Sequence, residues 1–281
     1  MNNSLRAPGV KTLFLLFLLL LSSTFATHAG TFVQFRLPIG DIEVELYNQD
    51  KPVTVQNFIR YIQSDRYTTN HVIHRWDPNF VIQGGGFFIT NRTTSPSFAS
   101  VPTFGTITNE YSVGATYSNT YGTIAMARVG GQTNSATSQW FINLGNNSFL
   151  DNVDGGFTVF GRVIRGFDVL ERFNTPTLEN GIFLANLGGA LTELPVLSQS
   201  PTYNDLVYVD ITLLNVKVVR VGNDSQISWN SVTGKQNIVE YTAVLPPNWQ
   251  TLTTVTGDGA TKTVTDANPA TRRFYRVRVA Y

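Results

Sequence analysis

The chain of 281 residues contains no cysteine. That absence excludes disulfides, thiolate catalysis and cysteine-based metal sites together, and it says little about compartment, because a core of this size needs no covalent staples. Charge is also sparse. Charged residues make up 14%, and 20 basic against 19 acidic side chains leave a formal net charge of +1, so the basic footprint of a nucleic-acid binder is missing and no nucleic-acid partner is expected. There is no Gly-x-Ser-x-Gly elbow for a serine hydrolase, and Gly84-Gly85-Gly86 lacks the Gly-x-Gly-x-x-Gly spacing of a dinucleotide loop. Those glycines read as a turn brought close to other backbone. Histidine is scarce, at three residues. His71 and His74, three apart on a strand, point to opposite faces without a carboxylate cluster, so no metal or other cofactor is expected. His74 reads as a core histidine and His71 as exposed.

What is present is globular in character, with 42% hydrophobic and 12% aromatic residues. The first stretch reads as an address. Arg6 and Lys11 precede an apolar run over 13–21, and Thr27-His28-Ala29 offers a small-residue cleavage site, with Thr24-Phe25-Ala26 as the competing choice. The run is short of the ~20 residues that span a bilayer, so a cleaved signal peptide over 1–29 is expected rather than an anchor. Export to a periplasm or the exterior follows, without stable membrane insertion afterwards.

Residues 31–37 alternate apolar and polar, break at Pro38-Ile39-Gly40-Asp41 and resume over 42–47, which predicts a β-hairpin. Pro52 opens a segment with Val55, Phe58, Ile59 and Ile62 at helical spacing, an amphipathic helix that covers one end of a sheet or barrel. A strand over 158–163 and a short helix over 167–173 follow. Between 174 and 204, Pro176, Gly188-Gly189, Pro195 and Pro201 interrupt any periodicity, predicting a loop-rich insertion with flexible packing before a last strand at 206–213. From 215 to 281, short apolar strands with Trp229, Tyr241 and Trp249 are separated by Gly, Asn, Asp and Pro turns. They predict a small β-sandwich, short of a full set of seven strands.

Two blocks carry the chemistry. One is Ile73-His74-Arg75-Trp76-Asp77-Pro78-Asn79-Phe80-Val81-Ile82-Gln83-Gly84-Gly85-Gly86. The other runs from Gly122-Thr123-Ile124-Ala125-Met126-Ala127 to Ser138-Gln139-Trp140-Phe141-Ile142-Asn143. In spacing and order they resemble the cyclophilins, over residues 32–213, while the tail is similar to fibronectin-III-like modules. The resemblance implies a mainly β fold, a closed antiparallel barrel capped by two helices, in a domain spanning 30–214. It also implies peptidyl-prolyl cis/trans isomerase activity on proline-containing polypeptides, with no cofactor. Arg75, Phe80 and Gln83 then match the catalytic positions, and Met126, Ala127, Arg128, Phe141, Phe149, Leu150 and Phe157 the substrate-binding ones. Among these, Phe80, Met126, Phe141 and Leu150 match the proline pocket, and Ala127 and Arg128 match positions whose backbone pairs with an extended peptide.

Rotating an X-Pro bond breaks amide resonance against a barrier of ~18–20 kcal/mol and needs no nucleophile, metal or proton transfer. A cation beside the prolyl nitrogen can donate to the lone pair that appears as resonance is lost, and the resemblance gives that role to Arg75. The chain departs from the family pattern at Asn79 for glycine, Val81 for methionine, Arg128 for asparagine, Phe149 for tryptophan and Phe157 for histidine, and by one extra residue between Thr133 and Ser138. Loss of the indole donor at position 149 implies weak cyclosporin binding. Two rivals stand beside the enzyme. One is a catalytically weak module that holds proline segments and is anchored by the C-terminal β domain; the other makes that domain a surface adhesin.

Overall fold

Alternation of apolar and polar side chains builds the first hairpin, β1 (Thr31–Leu37) and β2 (Gly40–Leu46), with Leu37 paired to Gly40 across the turn. The computed structural model describes residues 31–281 apart from 69, 176–180, 215, 232–235, 245–246, 259, 268, 270–271 and 281. The leader expected over 1–29 lies outside the described residues. After the hairpin come α1 (Pro52–Gln63), β3 (Arg75–Asp77), β4 (Val81–Gly84), β5 (Phe87–Thr90), β6 (Ser97–Ser100), β7 (Thr123–Met126), β8 (Trp140–Asn143), β9 (Val159–Arg165) and α2 (Phe167–Asn174). Then follow β10 (Phe183–Ala185), β11 (Leu194–Val196) and β12 (Asp210–Leu213). The C-terminal region holds β13 (Val216–Val221), β14 (Asp224–Asn230), β15 (Gln236–Thr242), β16 (Gln250–Thr256), β17 (Thr261–Asp266) and β18 (Phe274–Ala280).

Eight strands form one antiparallel sheet in the order β12-β1-β2-β9-β7-β8-β4-β3. Register offsets at Glu43/Val44 and Ile124/Ala125 bend the strands as β-bulges do, and the sheet curls around Phe35, Trp76, Trp140 and Phe160. All four rings are 1% exposed or less, and each such burial stabilises by about 1.5–3 kcal/mol. The buried faces of both helices enter the same core, α1 through Phe58 and Tyr61 and α2 through Leu170 and Phe173.

The expected closed barrel is corrected to a curled sheet with two edges. No ladder joins β12 to β3 among the described residues. The seam is instead crossed just before each strand, where Ile73 N–H donates to the Val207 carbonyl and Val209 N–H to that of His71, both at 2.9 Å. The reason lies on the edge of β3: Trp76 N–H donates to the Glu193 carbonyl at 2.7 Å, so the insertion occupies the position a closing strand would take.

That insertion is a second correction. Its described part holds the β10–β11 hairpin, and Leu194, Val196 and Leu206 pack with Val72 and Ile89 into a separate small core. The C-terminal strands form two three-stranded sheets, β13-β14-β17 and β16-β15-β18. Ile227, Trp229, Val239 and Val277 lie buried together in one cluster, and the Trp229 indole donates to Asn237 Oδ1 at 3.0 Å. Six strands are present there among the described residues.

The N-terminus of α1 lacks a side-chain cap from its own sequence. Glu110, 3% exposed, supplies one from a distant loop: its carboxylate accepts from Val53 N–H at 3.1 Å and Thr54 N–H at 2.7 Å. Next to it the buried Lys51 ammonium donates to the carbonyls of Glu110, Tyr111 and Val113. Glu110→Ala removes two charge-assisted bonds and a compensating charge, and should cost about 2–4 kcal/mol in denaturant unfolding at unchanged m-value. A loss below about 0.5 kcal/mol would contradict this coupling.

Candidate active site

The two sequence blocks meet because β4 is hydrogen-bonded to β8, β8 to β7, and β3 to β4. Successive side chains of a strand face opposite sides. Ile82, Ile124, Met126, Trp140 and Ile142 point into the main core, while Val81, Ala125 and Phe141 form an outer apolar cluster with Leu150 and Val159. A groove of about 170 Å³ lies over this outer face, lined by Arg75, Phe80, Val81, Gln83, Ala127, Arg128, Phe141, Leu150 and Phe157.

Most residues singled out by motif therefore come together. Met126 does not: it is 1% exposed inside the main core, because it sits one residue out of phase with the groove-facing Ala125 and Ala127. Val81 takes part of the apolar wall in its place. Phe149 lies at the rim, 57% exposed and stacked on Phe80 at 5.9 Å between ring centroids. Ala127 needs a further correction, since its N–H already donates to the Gln139 carbonyl at 2.9 Å. That amide is not available to a peptide, and among the described residues the backbone N–H and C=O of Arg128 carry no such bond.

The turn that delivers Phe80 has Asn79 at φ +61, a left-handed conformation that asparagine tolerates better than most residues, so the departure from glycine is accommodated. The Phe80 carbonyl accepts from Leu144 N–H and Asn147 Nδ2, both at 2.8 Å. Behind it runs a chain of side-chain amides that the sequence reading missed. Asn147 donates to Asn143 Oδ1 at 2.8 Å and Asn143 to Asn119 Oδ1 at 3.3 Å, while Asn119 donates to Asp151 Oδ1 at 2.8 Å and the Phe157 carbonyl at 3.1 Å. This network fixes the loops bearing Phe80, Leu150 and Phe157. The crowding of asparagines in Asn143-Leu144-Gly145-Asn146-Asn147 was its one signal.

Arg75 and Arg128 bring positive charge to the groove. The Arg75 guanidinium carbon stands 5.6 Å from the Phe80 ring centre; its Nε donates to Glu193 Oε2 at 2.6 Å, and its Nη2 lies 3.5 Å from Asp77 Oδ2. Arg128 is tied down by the carbonyls of Thr133, Val153 and Asp154 and covers Phe157 at 4.2 Å, and burial draws its pKa down. Gln83 donates to Gln139 Oε1 at 2.7 Å. Gly85, at φ +82, runs so close to Ser138 that a Cβ would stand 2.2 Å from its carbonyl oxygen, as the reading of the glycine turn anticipated.

Residues 32–186 match the family model described as cyclophilin type peptidyl-prolyl cis-trans isomerase/CLD. A peptidyl-prolyl cis-trans isomerase of Acinetobacter baylyi is 42% identical over 157 residues, which cover 55% of this chain and 78% of that protein. Peptidyl-prolyl cis-trans isomerase A of Dickeya dadantii is 38% identical over 57% of this chain and 79% of its own length, and isomerase B of Escherichia coli is 37% identical over 50% and 82%.

His71 is buried, contrary to expectation, and its Nε2 accepts from Gly85 N–H at 2.7 Å. Burial, reinforced by nearby His74, pulls its pKa down to about 3. His74 falls to about 4, again chiefly through burial, although its hydrogen bond with Gln139 opposes the shift. Both titrate near 6.5 when unfolded, so below that pH the unfolded chain binds more protons than the folded one. Their contribution is therefore complete above about pH 6.5 and is lost as pH falls towards 4. The slope should approach about 2.7 kcal/mol per pH unit near pH 5, at ~1.36 for each histidine. Denaturation midpoints measured from pH 7 to 4.5 should fall steeply; a flat profile would contradict this assignment.

Proposed function

Because this chain belongs to the cyclophilin-type family of peptidyl-prolyl cis-trans isomerases, we propose that it accelerates X-Pro rotation in exported proteins, with Arg75 as the group that acts on the reacting amide. The observation that carries the mechanism is the placement of a cation at the end of an apolar wall. Phe80, Val81, Phe141 and Leu150 line one side of the groove and the Arg75 guanidinium reaches it from β3. A proline ring seated on that wall leaves water, which would otherwise stabilise the planar amide. Its nitrogen becomes pyramidal and basic as resonance is lost, and a donor waiting there binds the transition state more tightly than the ground state. The backbone groups of Arg128, which make no backbone hydrogen bond among the described residues, support pairing with an extended peptide, which accepts many side chains. The apolar leader with its small-residue cleavage site supports export, and proline-containing polypeptides in transit are the expected clients.

A charge-assisted hydrogen bond nets about 1.5–3 kcal/mol. Arg75→Ala should therefore lower kcat/KM on an Ala-Pro peptide by roughly 10- to 150-fold at ~1.36 kcal/mol per decade, in a protease-coupled assay. Full activity in that variant would remove Arg75 from the mechanism, and an inactive wild type would favour a module that holds proline segments without turning them over. Since no proton is transferred, kcat/KM should be level from about pH 6 to 8; a bell-shaped profile would point to other chemistry.

The rim position of Phe149 also supports weak cyclosporin binding, for a phenyl ring there offers no donor. Phe149→Trp restores an indole N–H and should tighten cyclosporin binding by about tenfold, the value of one hydrogen bond, in calorimetric titration. Equal affinity in the two proteins would place the weakness elsewhere.

A further inference from the structure

Glu193 lies between the two halves of the insertion hairpin and the groove, and nothing in the sequence blocks points to it. Its backbone carbonyl accepts from Trp76 N–H at 2.7 Å, and its carboxylate Oε2 accepts from Arg75 Nε at 2.6 Å. One residue thus bonds two successive residues of β3, one through its main chain and one through its side chain. The next residues, Leu194 and Val196, are 0% and 1% exposed in the small core beneath, so the carboxylate is mounted on a packed hairpin. Asp77 approaches the same guanidinium from β3, 3.5 Å from Nη2. Nε is thus hydrogen-bonded, Nη2 stands in an ion pair with Asp77 without a hydrogen bond to it, and neither Nη group donates to a partner among the described residues.

We propose that Glu193 is a positioning residue: it holds Arg75 by Nε so that the guanidinium presents its terminal N–H groups to the prolyl nitrogen. The inference rests on the isomerase reading and deepens it. Arginine has a long, rotamer-rich side chain, and a donor useful only in the transition state must be held in its reacting geometry beforehand. Two effects of the carboxylate oppose each other. Holding the fork raises the rate, while the negative charge weakens the cation. The Arg75 and Glu193 side chains are 35% and 42% exposed, so solvent screens the charge effect. Geometry is not screened, and it prevails.

The test uses the full chain and four proteins: wild type, Glu193→Leu, Arg75→Ala and the double variant. Leucine removes the acceptor of the Nε bond, which a glutamine amide oxygen would keep, and leaves the main-chain bond to Trp76 in place; the side chain is 42% exposed, so folding should be preserved. Glu193→Leu should lower kcat by about tenfold with KM within about twofold, and should lower nothing further in the Arg75→Ala background. In NMR spectra, taken at a temperature where every variant is folded, the Arg75 Nε–H signal should be distinct in the wild type and move to the free-arginine position in Glu193→Leu. An unchanged or raised kcat, an unmoved signal, or an equal loss of rate with and without Arg75 would each overturn the proposal. An inactive wild type, or an Arg75→Ala protein as fast as wild type, would instead overturn the isomerase mechanism beneath it and take the positioning role with it.

Discussion

A strand can show its side chains to two surfaces only, and this constraint makes both the core and the groove from the same short segments. On β4, β7 and β8, each residue sent inward fixes its neighbours outward: Ile82, Ile124, Trp140 and Ile142 fill the core inside the curled sheet, and Val81, Ala125 and Phe141 form the groove floor. Trp140 sits so tightly over Gly84 that a Cβ there would be 2.4 Å from the indole. The pairing of β4 with β8 is thereby locked, because a slip of one residue would exchange core and groove. Catalytic geometry is thus a by-product of core packing.

The same economy appears at the edge of the sheet. β3 is three residues long; among the described residues its outer edge has no strand partner, and the insertion covers it through the backbone bond from Trp76 to Glu193. The segment that protects the edge also brings a carboxylate to Arg75. Around the other side of the groove, the chain from Asn147 through Asn143 and Asn119 to Asp151 ties the loops of Phe80, Leu150 and Phe157 into one unit. Polar networks of this kind hold geometry well only when their members are satisfied. Here the site is framed by hydrogen bonds and floored by apolar contact.

Local patterns were legible where periodicity was strong. The first hairpin, both helices and the strand near 158–163 followed from spacing, and the arginine, the aromatic and the glutamine of the first block converge as their motif implied. The misreadings have physical causes. Met126 was assigned by motif, while strand phase sends it inward. His71 reads as exposed because strand alternation puts it opposite the core histidine His74, yet both are buried and the Gly85 amide gives the His71 ring nitrogen a buried partner. The insertion looked loop-like because proline and glycine break its periodicity, but three-residue strands are too short to show a period, and their burial depends on Val72 and Ile89 from far away. Contacts such as Glu193 to Arg75, 118 residues apart, leave no local trace in a single sequence.

In the proposed mechanism the groove binds proline through its apolar wall while Arg75 acts in the transition state. Exchange NMR on a bound Ala-Pro peptide with Arg75→Lys, a change that keeps the charge and removes the planar fork, separates the two roles. The Kd should stay within about twofold of wild type, and the cis/trans exchange rate on the protein should be at least about tenfold slower. An unchanged exchange rate, or a loss of binding that accounts for the whole effect, would contradict that mechanism.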